Sequence, residues 1–305
     1  MTRYQCEVDP AKVTAIDMHV HVEREDDAHG HAHFSLDEEL MDASAAYFRS
    51  SDNRTPTVAD LATRYRAAGM AAVVFTVDAG TATGHPPLSS EHIAEECAQY
   101  ADVLIPFGSV DPHRGADAVA QARRLVTEHG VCGFKFHPSL QAFSPDDPSY
   151  QPLWAAIEEL GVPALFHTGQ NGIGAGLPGG RGIKLRYSNP LLLDDIAADH
   201  PGLTVILAHP SVPWQAEAIS MAVHKSNVFI DLSGWSPRYF PPELVKAAGG
   251  MLREKVLFGS DYPLIAPERW IEDFTGLGLN TSVLPGVLKE NAARVLGLPR
   301  REVTS

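Results

Sequence analysis

Eight short β-branched or apolar runs recur along the chain, separated by segments of helical periodicity, and this alternation limits the fold more than any other feature. The runs are Val13–Met18, Met70–Val77, Val103–Val110, Val131–His137, Pro163–His167, Leu203–His209, Asn227–Ser233 and Lys255–Ser260. Most are followed by Gly, Pro or Asp and then by a helix such as Tyr150–Leu160 or Pro190–His200. Parallel strands need such crossovers. An open doubly wound sheet would alternate in the same way, but eight regular units followed by a C-terminal helix favour closure into a (β/α)8 TIM barrel. The 305 residues, 44% of them hydrophobic, suit one barrel domain of about 250 residues plus insertions, here taken as 1–305. One insertion, Glu23–Thr55, follows strand 1 and is polar and histidine-rich before becoming helical; the other, Gly169–Asn189, is glycine-rich and follows strand 5. Both belong on the strand-end face where barrel enzymes place their sites.

Charge narrows the partners. Lys plus Arg is 24 against Asp plus Glu 38, a net −14, which argues against a nucleic-acid groove because that needs a dense cationic surface. Cys6, Cys97 and Cys132 are widely spaced and form no CxxC pair, so neither a disulfide framework nor a cysteine zinc site is indicated. No apolar run approaches the ~20 residues of a membrane span, and the start of the chain lacks a signal-peptide pattern. The expectation is a cytoplasmic homodimer acting on a small molecule, with no membrane partner.

The sharpest chemical signal is Asp17-Met18-His19-Val20-His21. Residues two apart on an extended segment share a face, so both imidazoles can point into a barrel. Taken alone, the pair also reads as two ordinary loop histidines. Other strands, however, end in metal-binding side chains too: His137 in FKFHP, His167 in LFHTG, His209 in ILAHP and Asp261 in FGSDYP. Imidazoles with a carboxylate suit one catalytic divalent ion, zinc first, with manganese or iron as alternatives. The histidines of AHGHAHF (His29, His31, His33) read as a solvated loop rather than a second metal patch.

In the order IDMHVH, GFKFHP, LFHTG, ILAHP and LFGSDYP, the sequence from Val13 to Leu298 resembles the amidohydrolase superfamily. Within it, the resemblance is to the amidohydrolase 2 branch, which includes aminocarboxymuconate-semialdehyde decarboxylase. The resemblance implies that His19, His21, His167 and Asp261 hold the metal and that His209 serves as acid or base, with Asp261 sharing the proton handling. Lys135 is implied as a catalytic-site lysine. It either is carboxylated to bridge two metals, or stays a cation paired with Asp78, Asp111 or a substrate carboxylate, or is structural.

Two activities fit. The LFHTGQNGIGAGLPGG and IDLSGWSPRYFPPEL stretches resemble a subgroup of β-ketoacyl-CoA hydrolases, implying C–C cleavage of an aryl β-ketoacyl-CoA by activated water, with Arg181, Lys184 and Arg186 near the CoA phosphates. The alternatives are non-oxidative decarboxylation of an aromatic or muconate-type acid, and lactone hydrolysis. His137, Trp235 and Tyr262, with Arg238 and Tyr239 beside them, are the remaining candidates for contact with the aromatic acid or acyl-CoA.

Overall fold

The computed structural model describes residues 3–27, 29–48 and 54–299; residues 28 and 49–53 of the first insertion, and 1–2 and 300–305 of the expected domain, lie outside the described residues. Strand β1 (Ile16–His21) is followed by a hairpin of β2 (Arg24–Asp26) and β3 (Ala32–Phe34). Then come β4 (Ala71–Phe75), β5 (Leu104–Pro106), β6 (Phe134–Phe136), β7 (Ala164–His167), β8 (Val205–Ala208), β9 (Val228–Asp231) and β10 (Val256–Leu257). Every run expected to be a strand contributes one.

Pairing is parallel in two arcs, β1-β4-β5 and β6-β7-β8-β9-β10. Parallel bridges Gly108–Phe134 and Val20–Tyr262 join the arcs at both seams. The backbone bonds Lys135 N to Gly108 O (2.8 Å) and Asp261 N to His19 O (2.9 Å) lie across the same seams. The sheet therefore closes, and no barrel strand presents a free edge. Alternate residues divide between two apolar layers. Ile16, Met18, Val73, Phe75, Leu165 and Ile206 fill the interior, while Val74, Phe136, Phe166, Leu207 and Ile230 pack outward against the helices.

The first strand runs three residues further than expected, through the His-Val-His triplet, and its register slips between Asp17 and Val20. That bulge places two residues of β1 opposite one of β4 and resets the alternation. Ile16 and Met18 lie in the interior layer and Val20 in the outer one. His19 and His21 are consequently inward; uninterrupted alternation from Ile16 would have turned both away.

The helix Val58–Ala68 starts at a capping box, in which the Thr57 hydroxyl accepts from Asp60 N and the Asp60 carboxylate accepts from Thr57 N. Such a cap is worth about 1 kcal/mol. Leu61, Ala62 and Tyr65 form its buried stripe, and Gly69 ends it in the left-handed region at φ 63°. The helix expected at Tyr150 begins one residue later, with Pro152 in its first turn. The one expected over Pro190–His200 is a 3-10 turn, Pro190–Leu193, followed by the short helix Asp194–Asp199.

The histidine-rich segment is not an open loop. It is the β2–β3 hairpin, whose turn is held by Asp27 accepting from His29 N (2.8 Å) and His31 N (2.9 Å). All three histidines are exposed. Helix Glu38–Phe48 then crosses the barrel mouth. Among the described residues, no helix is long and apolar enough to cross a membrane.

Candidate metal centre and active-site cavity

At the C-terminal ends of the barrel strands lies a cavity of about 850 Å³. His19 and His21 reach it from β1, Lys135 from β6, His167 from β7, and His209 and Asp261 from just past β8 and β10. Asp261 Oδ1 lies 3.0 Å from His21 Nε2 and 3.3 Å from His19 Nε2. Among the described residues, these three side chains form the one group whose ligand atoms all lie within 4.8 Å of one another. His167 stands outside that group. Its ring stacks on His137 at 3.8 Å and meets His209 at 4.7 Å, and its buried Nε2 has no hydrogen-bond partner.

Backbone strain helps to aim two of these side chains. His209 has φ 77° and Asp261 φ 67°, both in the left-handed region, at roughly 1–2 kcal/mol each for residues with a Cβ. His209 directly follows the inward Ala208, so plain alternation would send its ring outward. The left-handed turn brings it over the mouth instead, 4.8 Å from the ring of His19. Gly234 makes room for it, since a Cβ there would collide with His209 Nδ1.

A shell of buried polar groups fixes the floor. His19 Nδ1 meets Asp231 Oδ2 at 2.6 Å, and Ser233 Oγ lies 3.0 Å from both His19 Nδ1 and His209 Nδ1. Asp17 accepts from Ser260 N (2.9 Å) and from the Tyr65 hydroxyl (2.7 Å), tying β1 to the end of β10. Asp17, Asp231 and Ser233 were missed as site residues by sequence reasoning. The signal was present, since Asp231-x-Ser233 repeats the two-residue spacing of His19-x-His21 at another strand end.

Electrostatics follow burial. Desolvation, with Lys135 next in weight, holds His19 well below the ordinary histidine range, and desolvation takes His209 down to about 4. His137 and His167 are also held low, first by burial. Burial by itself would raise Asp261, but the hydrogen bond to His21 and the nearby His209 and Lys135 outweigh it, and the carboxyl sits at about 2. Near neutral pH, His19, His137, His167 and His209 are therefore uncharged and Asp261 is ionised, the states that metal ligation requires. Desolvation raises Asp231 and lowers Lys135.

This donor set fits a divalent ion. The imidazole and carboxylate lone pairs of His19, His21 and Asp261 are crowded together, the unpartnered His167 Nε2 is buried in the same cavity, and the pairing of His19 with Asp231 is the carboxylate–histidine contact that orients metal-bound imidazoles.

Lys135 is fully buried, and of the roles left open for it, pairing with Asp78 or Asp111 is not realised. Asp78 is taken by Arg114 (3.2 Å) and Asp111 by the backbone of Thr81 and His113. Lys135 Nζ instead lies 3.2 Å from His19 Nε2. Its alternation with Phe134 and Phe136, which pack outward, forces it inward.

Of the expected substrate contacts, His137 and Trp235 line the cavity, as does Tyr239. Tyr262 does not: it is buried in the wall, edge-on to Tyr65, with the Arg64 guanidinium 4.5 Å from its ring. Arg238 is bound to Asp273 at 2.6 Å. The basic run also departs from expectation. Arg181 is engaged by Asp37 (2.7 Å) and Glu39 (2.9 Å), Arg186 lies over Tyr187, and neither they nor Lys184 line the cavity. A glycine-rich loop crossing to the first insertion finds its acidic partners there.

The family model described as amidohydrolase matches residues 16–298. The chain belongs to this family, in its amidohydrolase 2 branch. This amidohydrolase is 25% identical over 265 residues to gamma-resorcylate decarboxylase of Rhodococcus jostii, a match covering 70% of this chain and 76% of the relative. Among solved structures it is similar to an uncharacterized TIM-barrel protein from Bordetella bronchiseptica (TM-score 0.74, 22% identity, 93% of this chain and 98% of that one). It is also similar to a dihydroxybenzoic acid decarboxylase from Polaromonas with bound manganese and the inhibitor 2-nitroresorcinol (TM-score 0.66, 15% identity, 95% and 98%). The amidohydrolase is an enzyme of TIM-barrel fold whose curated relatives decarboxylate aromatic acids. They match the decarboxylase expectation rather than cleavage of an aryl β-ketoacyl-CoA.

Proposed function

We propose that this amidohydrolase is a metal-dependent, non-oxidative decarboxylase of a hydroxylated aromatic carboxylic acid. The observation that carries the reading is the pairing of one buried cation, Lys135, with the His19–His21–Asp261 group at the floor of a largely apolar cavity. An arene is accommodated by walls such as Met41, Phe48, Leu140 and Trp235, and its carboxylate is held by charge at one end. A coenzyme A thioester is disfavoured because the basic loop faces elsewhere and the two arginines that do line the cavity, Arg54 and Arg269, lie beside Asp42 and Asp273.

His19, His21 and Asp261, with His167 as the fourth donor, are the residues that would hold one divalent ion. Zinc suits the imidazole-rich set, and manganese is the metal described for the Polaromonas relative. Bound there, the ion supplies Lewis acidity toward a substrate oxygen. With the His19 lone pair ligated, the Lys135 ammonium needs another acceptor, which a substrate carboxylate provides. His209, uncharged near neutral pH with Nδ1 facing Ser233, turns Nε2 to the cavity, where it would take up a proton from solvent and hand it to the ring carbon. The carbon–carboxylate bond then breaks, its electron pair stays with the ring carbon that takes the proton, and carbon dioxide leaves.

The test is turnover of zinc- and manganese-loaded protein on a panel of hydroxybenzoates in D₂O, read by carbon dioxide release and by deuterium at the vacated ring position. Turnover of an aryl β-ketoacyl-CoA with no carbon dioxide from any aromatic acid would overturn the reading.

A further inference from the structure

The segment after β9 seats His209 and forms part of the cavity wall. Ser233 Oγ lies 3.0 Å from Nδ1 of both His19 and His209, Gly234 leaves the room that the His209 ring occupies, and Trp235, Ser236 and Tyr239 line the cavity. This segment is not strand, since β9 ends at Asp231. The backbone N–H groups of Tyr239 and Phe240 bond within their own turn, to Ser236 O (2.9 Å) and Pro237 O (3.1 Å). A connection outside the sheet ladder takes its position from the side chains that tie it down.

Those ties come from the helix Pro267–Thr275, which follows Asp261 by way of Pro263, Leu264 and Ile265 in the cavity wall. Trp270 Nε1 donates to Leu232 O at 3.1 Å, and the Trp270 ring meets Phe240 at 6.3 Å, so one side chain pins both ends of the segment. Asp273 holds the middle. Its Oδ2 accepts from Ser236 Oγ at 2.6 Å, and Arg238 Nε stands 2.6 Å from its Oδ1 in an ion pair that lacks hydrogen-bond geometry. Arg269, one turn back on the helix, reaches Oδ2 at 3.9 Å. Trp270 and Phe274, stacked at 4.9 Å, belong to the hydrophobic core. Asp273, 3% exposed, adds a buried carboxylate there, and its printed bonds to other elements go to this one segment. Such a group is costly to leave without its partners, so it favours the one arrangement of the segment that keeps them.

We propose that Asp273 is a positioning residue for the active site. Through Ser236 and Arg238 it sets the segment after β9, and through that segment it sets the seat of His209 and the wall at Trp235. It touches no reacting group itself. Arg238 belongs to this tie rather than to the substrate, and a small displacement of the segment would carry Ser233 and Gly234 away from the His209 ring. Misplacement of about 1 Å by a change remote from the chemistry can cost about a hundredfold in rate. The inference rests on His209 as the group that handles the proton, a role it has in decarboxylation and in hydrolysis alike.

The test pairs Asp273→Asn with Arg238→Gln, a position whose side chain is 64% exposed and can be changed without opening the core. Metal-loaded proteins are compared by hydrogen–deuterium exchange and by steady-state rates on hydroxybenzoates. Each variant is expected to keep its metal, to exchange about tenfold faster or more over 232–240 with β1 and β7 unchanged, and to lose about tenfold or more of kcat. The double variant should lose no more than the worse single one, because both break the same tie. A merely structural Asp273 would instead speed exchange throughout the barrel, lower the denaturation midpoint and leave kcat of the folded protein as it was. That pattern, unchanged exchange over 232–240, or additive losses in the double variant would overturn the proposal. If Asp273→Asn does not fold, Arg238→Gln with Ser236→Ala completes the same cycle. Should the wild type turn over an aryl β-ketoacyl-CoA and no hydroxybenzoate, the rates are read on that thioester; the decarboxylase reading then falls, while the role of Asp273 is still decided by the exchange and the kcat losses.

Discussion

At the floor of the cavity, His19, Lys135 and Asp231 are fully buried and each is held by another ionisable group. At its roof, the two insertions meet through partly exposed contacts: Arg181 with Asp37 and Glu39, and Gln170 with Tyr47, beside the approach of Gly172 to Phe48. The floor is carried by barrel strands, whose closed hydrogen bonding leaves little freedom to move a side chain. The roof is carried by connections that share few backbone bonds with the barrel. Charge is therefore costly to disturb at the floor, where no water can replace a lost partner, and cheap at the roof, where solvent screens it. On the proposed function, chemistry is assigned to the first region and selection of the ligand's outline to the second.

The largest effects should come from breaking the floor. His19→Ala or Asp261→Ala is expected to lose bound metal and at least about a thousandfold of turnover together, read by elemental analysis and steady-state rates. Full activity after thorough metal removal would refute the metal assignment. Next, His209→Asn is expected to retain metal and lose about 10²–10⁴ of turnover. If metal is lost instead, His209 is a ligand and the site has been drawn one residue short.

A pH experiment separates the regions without substrate. The His209 pKa falls from 6.5 to about 4 because burial disfavours the charged ring. The unfolded chain therefore takes up this proton first as pH drops, so the stability contributed by the neutral ring is full above about 6.5 and is lost progressively toward 4. The loss amounts to about 3 kcal/mol from this group. Denaturant midpoints of metal-free protein should fall between pH 7 and pH 4, and more shallowly in His209→Asn. Equal slopes would place the proton elsewhere.

Effects at the roof should be smaller. Arg181→Ala is expected to raise KM for an aromatic acid by less than about fivefold with kcat nearly unchanged, as a solvent-screened ion pair implies. Lys184→Ala and Arg186→Ala should stay within about twofold of wild type in both constants. A large KM effect from either lysine or arginine would return the basic loop to the substrate.

The barrel was legible in the sequence because alternating strands and helices leave a period that needs no knowledge of contacts. That His19, His21 and Asp261 would converge was legible because a metal demands particular atoms at strand ends, though His167, expected with them, stands outside their group; Asp231 and Ser233 could have been found by the same spacing. Long-range geometry was not. Sequence could not see that Lys135 would meet His19 rather than Asp78, since that depends on Arg114 claiming Asp78 first. Nor could it see that Arg181 would be spent on Asp37 and Glu39.

What the sequence by itself determined is which residues alternate and which strand ends carry imidazole or carboxylate. Which way those side chains point was decided only in the folded molecule. A bulge in β1 turns His19 and His21 inward, and left-handed backbone at His209 and Asp261 helps to aim both over the mouth. Both features are local conformations that cost free energy on their own. They persist because barrel closure and the buried hydrogen bonds around Asp17 and Asp231 hold them in place, and those contacts join residues more than two hundred positions apart.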